Sequence, residues 1–99
     1  MNEYRVRLAQ SVQDALLSIP SQDDARRIAK RLSALAIAPH FGMVYDPIYE
    51  AARPPHEVLV TYAGHFGLYY TCNDATRTVD VGHLEDMRRD PMHRFETDL

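Results

Sequence analysis

The stretch Glu57-Val-Leu-Val-Thr-Tyr-Ala-Gly-His-Phe-Gly-Leu-Tyr-Tyr-Thr-Cys-Asn-Asp-Ala-Thr-Arg-Thr-Val-Asp-Val-Gly-His-Leu84 decides the fold. Val58, Val60 and Tyr62 share one face and Glu57, Leu59 and Thr61 the other, the period of two that a strand imposes. Ala63-Gly64 supplies a turn, after which Phe66, Leu68, Tyr70 and Cys72 oppose Gly67, Tyr69 and Thr71. Asn73-Asp74 opens a second turn, with side chains that hydrogen-bond to nearby backbone. Thr78-Val79-Asp80-Val81 comes next with Val79 and Val81 inward, and the strand is expected to run out at Gly82-His83. Closely spaced strands with short turns make an antiparallel meander.

An apolar sheet face must be covered, and the residues upstream supply the cover. Tyr4, Val6 and Leu8 alternate with Arg5 and Arg7, which reads as a half-buried strand. Ser11 offers an N-cap, with Asp14 three residues on; Val12, Ala15, Leu16 and Ile19 then keep helical spacing until Pro20 ends the helix. Ser21 and Asp24 repeat the cap signal. Ala25, Ile28, Leu32 and Leu35 carry a second, longer helix to about Ala38, before Pro39. So short a connection folds the two helices back as a hairpin. Residues 39–56 are broken by Gly42 and Pro47, with a short edge strand expected near Met43–Tyr45. The first strand must join the sheet, because an isolated strand cannot satisfy its backbone groups. The expected fold is α+β: an N-terminal strand, a helical hairpin, then a curved antiparallel sheet of three to four strands. It forms a single domain over residues 1–99, with a tail from about residue 91 that orders on binding or self-association.

Composition agrees with one modest core. A chain of 99 residues with 45% hydrophobic and 25% charged residues is an ordinary globule, and at that length it buries roughly 60–70% of its unfolded surface. No apolar run approaches the ~20 residues of a membrane span, and Met1–Arg7 has no apolar core of a secretory signal. Cys72 is the single cysteine, which excludes an intrachain disulfide and suits a reducing compartment, so the expected location is the cytoplasm.

Charge is informative when divided. Residues 1–31 hold six basic and four acidic groups, whereas residues 32–99 hold five basic and ten acidic, within a net charge of −3. Nucleic-acid binders place a basic footprint on the working face, since phosphate neutralisation supplies much of the affinity. The strand-rich half has no such excess. Arg26, Arg27, Lys30 and Arg31 line one face of the second helix near Asp23; this reads as a solvated face with ion pairs of about 0.3–0.5 kcal/mol each, or as a ridge for a partner.

In order along the chain, Tyr4-x-Val6, Leu17-x-x-Pro20, Ala38-Pro39, Phe66-Gly-Leu-Tyr-Tyr70, Asn73-Asp74 and Val81-Gly82-His83 resemble the RelE/ParE superfamily of bacterial toxins. The resemblance runs from Tyr4 to about Asp90. It implies the toxin of a toxin–antitoxin module, held inactive by a cognate antitoxin wrapped across it. RelE-like members cut messenger RNA on the ribosome without a metal, using basic and acid–base side chains on the sheet. ParE-like members inhibit DNA gyrase by protein contact.

Two positions depart from the pattern of the family's ribonucleases. Their middle strand reads aromatic-Arg-apolar-apolar-Tyr, and here Gly67 stands where the arginine would be. Their closing motif reads Gly-His-Arg or Gly-Lys-Arg, and here Leu84 follows Gly82-His83. Loss of single charge-stabilising groups of this kind costs ~10²–10³ in rate. The preferred expectation is therefore a toxin-like protein that acts by binding protein partners: an antitoxin, and gyrase or the ribosome as the target. One alternative is a metal-independent endoribonuclease with a relocated site of His83, Arg88 and Arg89, in which His83 serves as general base. Another is an inactive homologue used as a binding module. Tyr45, Tyr49, Tyr69 and Phe95 are the candidate partner-binding aromatics. His56, His65 and His93 have no metal-ligand spacing, so neither a metal nor another cofactor is expected. Cys72 and His83 fall on neighbouring strands, which raises a thiol–imidazole pair against the simpler reading of Cys72 as a small buried hydrophobe. A homodimer and direct nucleic-acid contact stay open, the latter with the weaker case.

Overall fold

The computed structural model describes residues 3–45 and 57–88. Within them the chain runs β1 (Arg5–Leu8), α1 (Gln10–Leu17), α2 (Gln22–Ile37), β2 (Met43–Val44), β3 (Leu59–Ala63), β4 (Phe66–Asn73) and β5 (Thr78–Asp86). The strands form one sheet in the order β1-β5-β4-β3-β2. The meander is present as expected: β2 to β5 pair antiparallel in succession. β1 adds to the far side of β5 in parallel, Val6 opposite Val79 and Leu8 opposite Val81. The N-terminal strand thus joins the sheet through the last strand. The proposed tail from residue 91 lies outside the described residues.

The two helices start for different reasons. Ser21 caps α2 by accepting a hydrogen bond from the Asp24 backbone N–H at 3.2 Å, and Asp23 and Asp24 place negative charge in the first turn. Helix α1 departs from expectation. It begins two residues earlier, its N-cap is Ala9 with no side-chain bond, and Ser11 lies inside the first turn. The entry from β1 explains the difference: the Ala9 N–H is already engaged by the Val81 carbonyl at 2.9 Å, so the chain turns into the helix directly from the sheet edge.

Both helices cover one face of the sheet. Val12, Ile28 and Leu35 pack there against Leu59, Leu68, Val79 and Val81. On β3 the covered side carries Leu59, Thr61 and Ala63, while Val60 and Tyr62 take the open side. Tyr70, 1% exposed, points into this core and needs a partner for its polar tip. Its hydroxyl donates to the Pro39 carbonyl at 2.8 Å and accepts from the Gly42 N–H at 3.1 Å, fastening the α2–β2 connection to the sheet. Gly42 must be glycine here, because a Cβ would strike the Tyr70 hydroxyl and lie 2.9 Å from the Val60 carbonyl.

The β3–β4 hairpin closes through Gly64-His65. Gly64 has φ +62°, so glycine occupies the position where a two-residue turn demands positive φ. The last strand differs from expectation, since it continues through Gly82-His83 to Asp86. Pairing shows how: Tyr70 opposes Val81 and Tyr69 opposes His83, so Gly82 is an extra residue, a β-bulge. The extra residue changes which side chains share a face. Val79 and Val81 face the helices and so does Leu84, opposite Leu68, whereas Asp80, His83 and Glu85 lie on the open face.

Candidate functional site

The open face of the sheet gathers the side chains that the bulge redirects. Tyr69 of β4 stands beside His83 of β5, with ring centroids 5.4 Å apart and planes inclined at 48°. Tyr45, just beyond β2, meets Tyr69 edge-on, its centroid also 5.4 Å away. The Tyr69 hydroxyl donates to Glu85 Oε2 at 3.3 Å, and Glu85 is only 2% exposed. Burial, reinforced by the Glu85 charge, pushes the Tyr69 hydroxyl up to about 12, so it stays a hydrogen-bond donor through the physiological range. A shallow depression of about 340 Å³ opens here, lined by Val58, Tyr69, Thr71, Asp80, Gly82 and His83 among others.

Two arginines on or just beyond the bordering strands are paired with carboxylates. Arg7 of β1 grips Asp80 with Nε–Oδ1 2.7 Å and Nη2–Oδ2 3.0 Å, and this pairing holds the Asp80 carboxyl below its ordinary range. Arg88 turns back on Asp86, donating from Nε at 3.1 Å, Nη2 at 2.8 Å and its own backbone N–H at 3.0 Å. These bonds hold the Asp86 carboxyl at about 2.

The positions that depart from the ribonuclease pattern have a structural reading. Gly67 lies on the open face opposite Glu85, and a Cβ there would sit 3.2 Å from Met87 Sδ, 3.4 Å from Tyr69 Cε1 and 3.5 Å from Tyr62 Cε1. Aromatic rings and a thioether fill the space a longer side chain would cross. Leu84 points to the helices, so a cation at that position would enter the core.

Of the sequence-derived candidates, the structure brings together Tyr45, Tyr69 and His83. Arg88 is fixed to Asp86, while Arg89, Tyr49 and Phe95 fall outside the described residues. His65 sits at the β3–β4 turn, stacked on Phe66 with ring centroids 4.5 Å apart and with Nε2 3.4 Å from Asp24 Oδ2; His56 and His93 also fall outside. Glu85 was not among the candidates. Its signal was the spacing Val79, Val81, Leu84: a shift from two to three that marks the bulge and reverses the parity of the residues after it.

Cys72 and His83 do not pair, because Cys72 packs on the helix-covered face and His83 lies on the open one. Cys72 instead meets a histidine that the sequence did not single out. His40, in the α2–β2 connection, places Nε2 3.7 Å from Cys72 Sγ and 2.7 Å from Asp74 Oδ1, and Cys72 Sγ lies 3.4 Å from that same oxygen. Tyr4 donates to Asp74 Oδ1 at 2.6 Å. Burial, followed by the Asp74 contact, pushes the Cys72 thiol up to about 11. A nucleophilic relay needs thiol and carboxylate on opposite ring nitrogens; here both address Nε2.

The helical face carrying Arg26, Arg27, Lys30 and Arg31 is partly self-neutralised, Arg26 by Asp23 at 3.2 Å and Arg27 by Asp24 at 3.1 Å. Arg31 lies over the Phe41 ring, 4.9 Å from its centroid. Around Phe41 the β2 edge is apolar and open, with Phe41 49%, Met43 70% and Val44 55% exposed.

Comparison with known proteins places this architecture. No protein-family model matches the chain, and no curated protein does so. Among solved structures, a chain in the crystal structure of the archaeal RelE–RelB complex from Pyrococcus horikoshii OT3 is similar, with a TM-score of 0.69 at 19% identity. The match covers 91% of this chain and 100% of that one. The order of elements and the helical hairpin over one sheet face therefore make a fold similar to that of this RelE–RelB structure.

Proposed function

We propose that this protein is the toxin-like component of a toxin–antitoxin module and that it works by binding protein partners. The fold supports the first part, and the similar solved structure is a complex of RelE with RelB. One observation carries the second: the two positions from which arginines would stabilise a phosphorane are a glycine packed among Tyr62, Tyr69 and Met87 and a leucine turned into the core. In place of a cationic sheet face there is an aromatic one, Tyr45–Tyr69–His83, closed by the buried carboxylate of Glu85. Such a surface suits apolar and hydrogen-bonding contact with protein, for which aromatic side chains are the usual anchors. The exposed edge of β2, with Phe41, Met43 and Val44, has no neighbouring strand among the described residues and offers itself to an antitoxin that adds a strand or lays down a helix.

The test is induced expression with transcript-end mapping, alongside co-expression with the small open reading frame next to the gene. Growth arrest without codon-specific cleavage, relieved by a co-purifying neighbour product, is the expected result. Inhibited gyrase supercoiling would select the ParE-like mode of action. Ribosome-dependent cleavage would overturn the reading in favour of the ribonuclease, with His83, beside the depression, as its base; His83→Ala should then abolish cutting. Absence of toxicity together with retained antitoxin binding would mark an inactive homologue serving as a binding module.

A further inference from the structure

The cluster beside the β4–β5 turn, built around Cys72 on the helix-covered face of β4, contains three kinds of metal-binding donor. Imidazole nitrogen, thiol sulfur and carboxylate oxygen come from His40, Cys72 and Asp74, and their ligand atoms all lie within 4.8 Å of one another. Each is held by backbone that is itself fastened. His40 follows Pro39, whose carbonyl is bound by the Tyr70 hydroxyl. Cys72 is in register with Val79 on β5. Asp74 lies in a turn fixed by Asn73 Oδ1, which accepts from the Ala75 N–H at 3.0 Å and the Thr76 N–H at 3.2 Å.

We propose that His40, Cys72 and Asp74 form a binding site for a thiophilic divalent cation, with Zn²⁺ as its type. A tetrahedral zinc with Zn–S about 2.3 Å and Zn–N or Zn–O about 2.0–2.1 Å sets its ligand atoms about 3.3–3.6 Å apart. The Sγ–Nε2 separation of 3.7 Å and the Sγ–Oδ1 separation of 3.4 Å already match those edges. Only Nε2–Oδ1, at 2.7 Å, must widen, and the two side chains concerned are 60% and 63% exposed and so can move. The donor set is one that zinc accepts, sulfur and imidazole with one carboxylate. On binding, the cation replaces the Cys72 thiol proton, which leaves to solvent, and turns the Nε2 lone pair towards itself. Tyr4 keeps its bond to the Asp74 carboxylate and orients it from outside the coordination sphere, as outer-shell donors do. Among the described residues three ligands are present, which leaves a fourth position for water. The bound ion would staple the segment before β1, the end of α2 and the β4–β5 turn into one corner. Such a site does not depend on the toxin assignment.

The experiment uses the full chain, reduced with a non-thiol reductant and freed of metal. Co²⁺ is titrated as the spectroscopic probe and then displaced with Zn²⁺. The expected result is one equivalent of Co²⁺ with a thiolate charge-transfer band that Zn²⁺ abolishes. Cys72→Ser should lose the band, and His40→Ala and Asp74→Asn should each weaken Zn²⁺ binding by roughly tenfold or more, with far-UV circular dichroism confirming that the variants fold. Alkylation of Cys72, the single cysteine of the chain, gives a second readout in the unmodified protein, and one equivalent of Zn²⁺ should slow it severalfold. Absence of the band, alkylation unaffected by Zn²⁺, or affinity unchanged in a folded His40→Ala protein would each overturn the proposal.

Discussion

Tyr69 and His83 face each other across β4 and β5 because Gly82 has no partner in the ladder between them. Were Gly82 paired in the ladder, strict alternation would put His83 with Val79 and Val81 on the helix side and turn Leu84 outward. The bulge therefore decides which groups can reach a partner on the open face and which serve the core.

Glycine is required at Gly42 but not at Gly82. A Cβ at Gly82 meets nothing within 4 Å, and its φ is not positive, so Gly82→Ala should be neutral or stabilise by about 0.4–1 kcal/mol through the unfolded chain. Gly42→Ala drives a methyl into the Tyr70 hydroxyl and the Val60 carbonyl and should cost about 1–3 kcal/mol. Urea denaturation of the two variants checks the contrast.

Placing an arginine at position 67 should not confer ribonuclease chemistry. Gly67→Arg must displace Met87 and the rings of Tyr62 and Tyr69, at about 1–3 kcal/mol of stability. Its transcript-cleavage profile is expected to equal that of the parent protein. A gain of codon-specific cutting would contradict this expectation.

Stability should fall in strong alkali because of Tyr69. Its hydroxyl ionises near 12 in the folded chain against 10.0 unperturbed, so above pH 10 the unfolded state has lost a proton that the native state keeps. This contribution is whole below pH 10 and disappears as pH rises through about 12. Tyr69→Phe should flatten the decline between those limits in denaturation curves. A difference absorbance titration of the two proteins should place the missing phenolate at the upper limit.

Ser21 and Ser11, similar in sequence context, should respond differently to alanine. Ser21→Ala removes the bond to the Asp24 N–H and should cost about 1 kcal/mol. Ser11 sits within the first turn of α1, where alanine is the better helix former, so Ser11→Ala should be neutral or slightly stabilising. Equal losses in thermal melts would contradict the cap assignment.

These residues also mark how far the sequence could be read. Period-two alternation from Val58 to Val81, the Ser21–Asp24 cap and the stops at Pro20 and Pro39 are local signals, and local signals specify elements. Ser11 resembled a cap because the pattern cannot show that the Ala9 N–H is satisfied by β5. The bulge was missed because a single extra residue hides within a strand whose apolar positions shift from a spacing of two to three. The pairing of Tyr69 with His83 depends on that shift. His40 gives no local signal for another reason: it lies 32 positions from Cys72, and contacts distant in sequence, the Tyr70 anchor on Pro39 among them, bring them together.

The parallel pairing of β1 with β5 also sets a timetable for synthesis. Arg7 and Asp80 are 73 positions apart, so the first strand to leave the ribosome must wait for the last before it has a neighbour. Until Thr78–Asp86 emerges, Val6 and Leu8 have no ladder and the helical hairpin has no finished sheet to rest on. A chain arrested before Thr78 should consequently be digested by protease as an open polypeptide. An interrupted translation product would then lack the assembled sheet face, and with it any partner that this face takes.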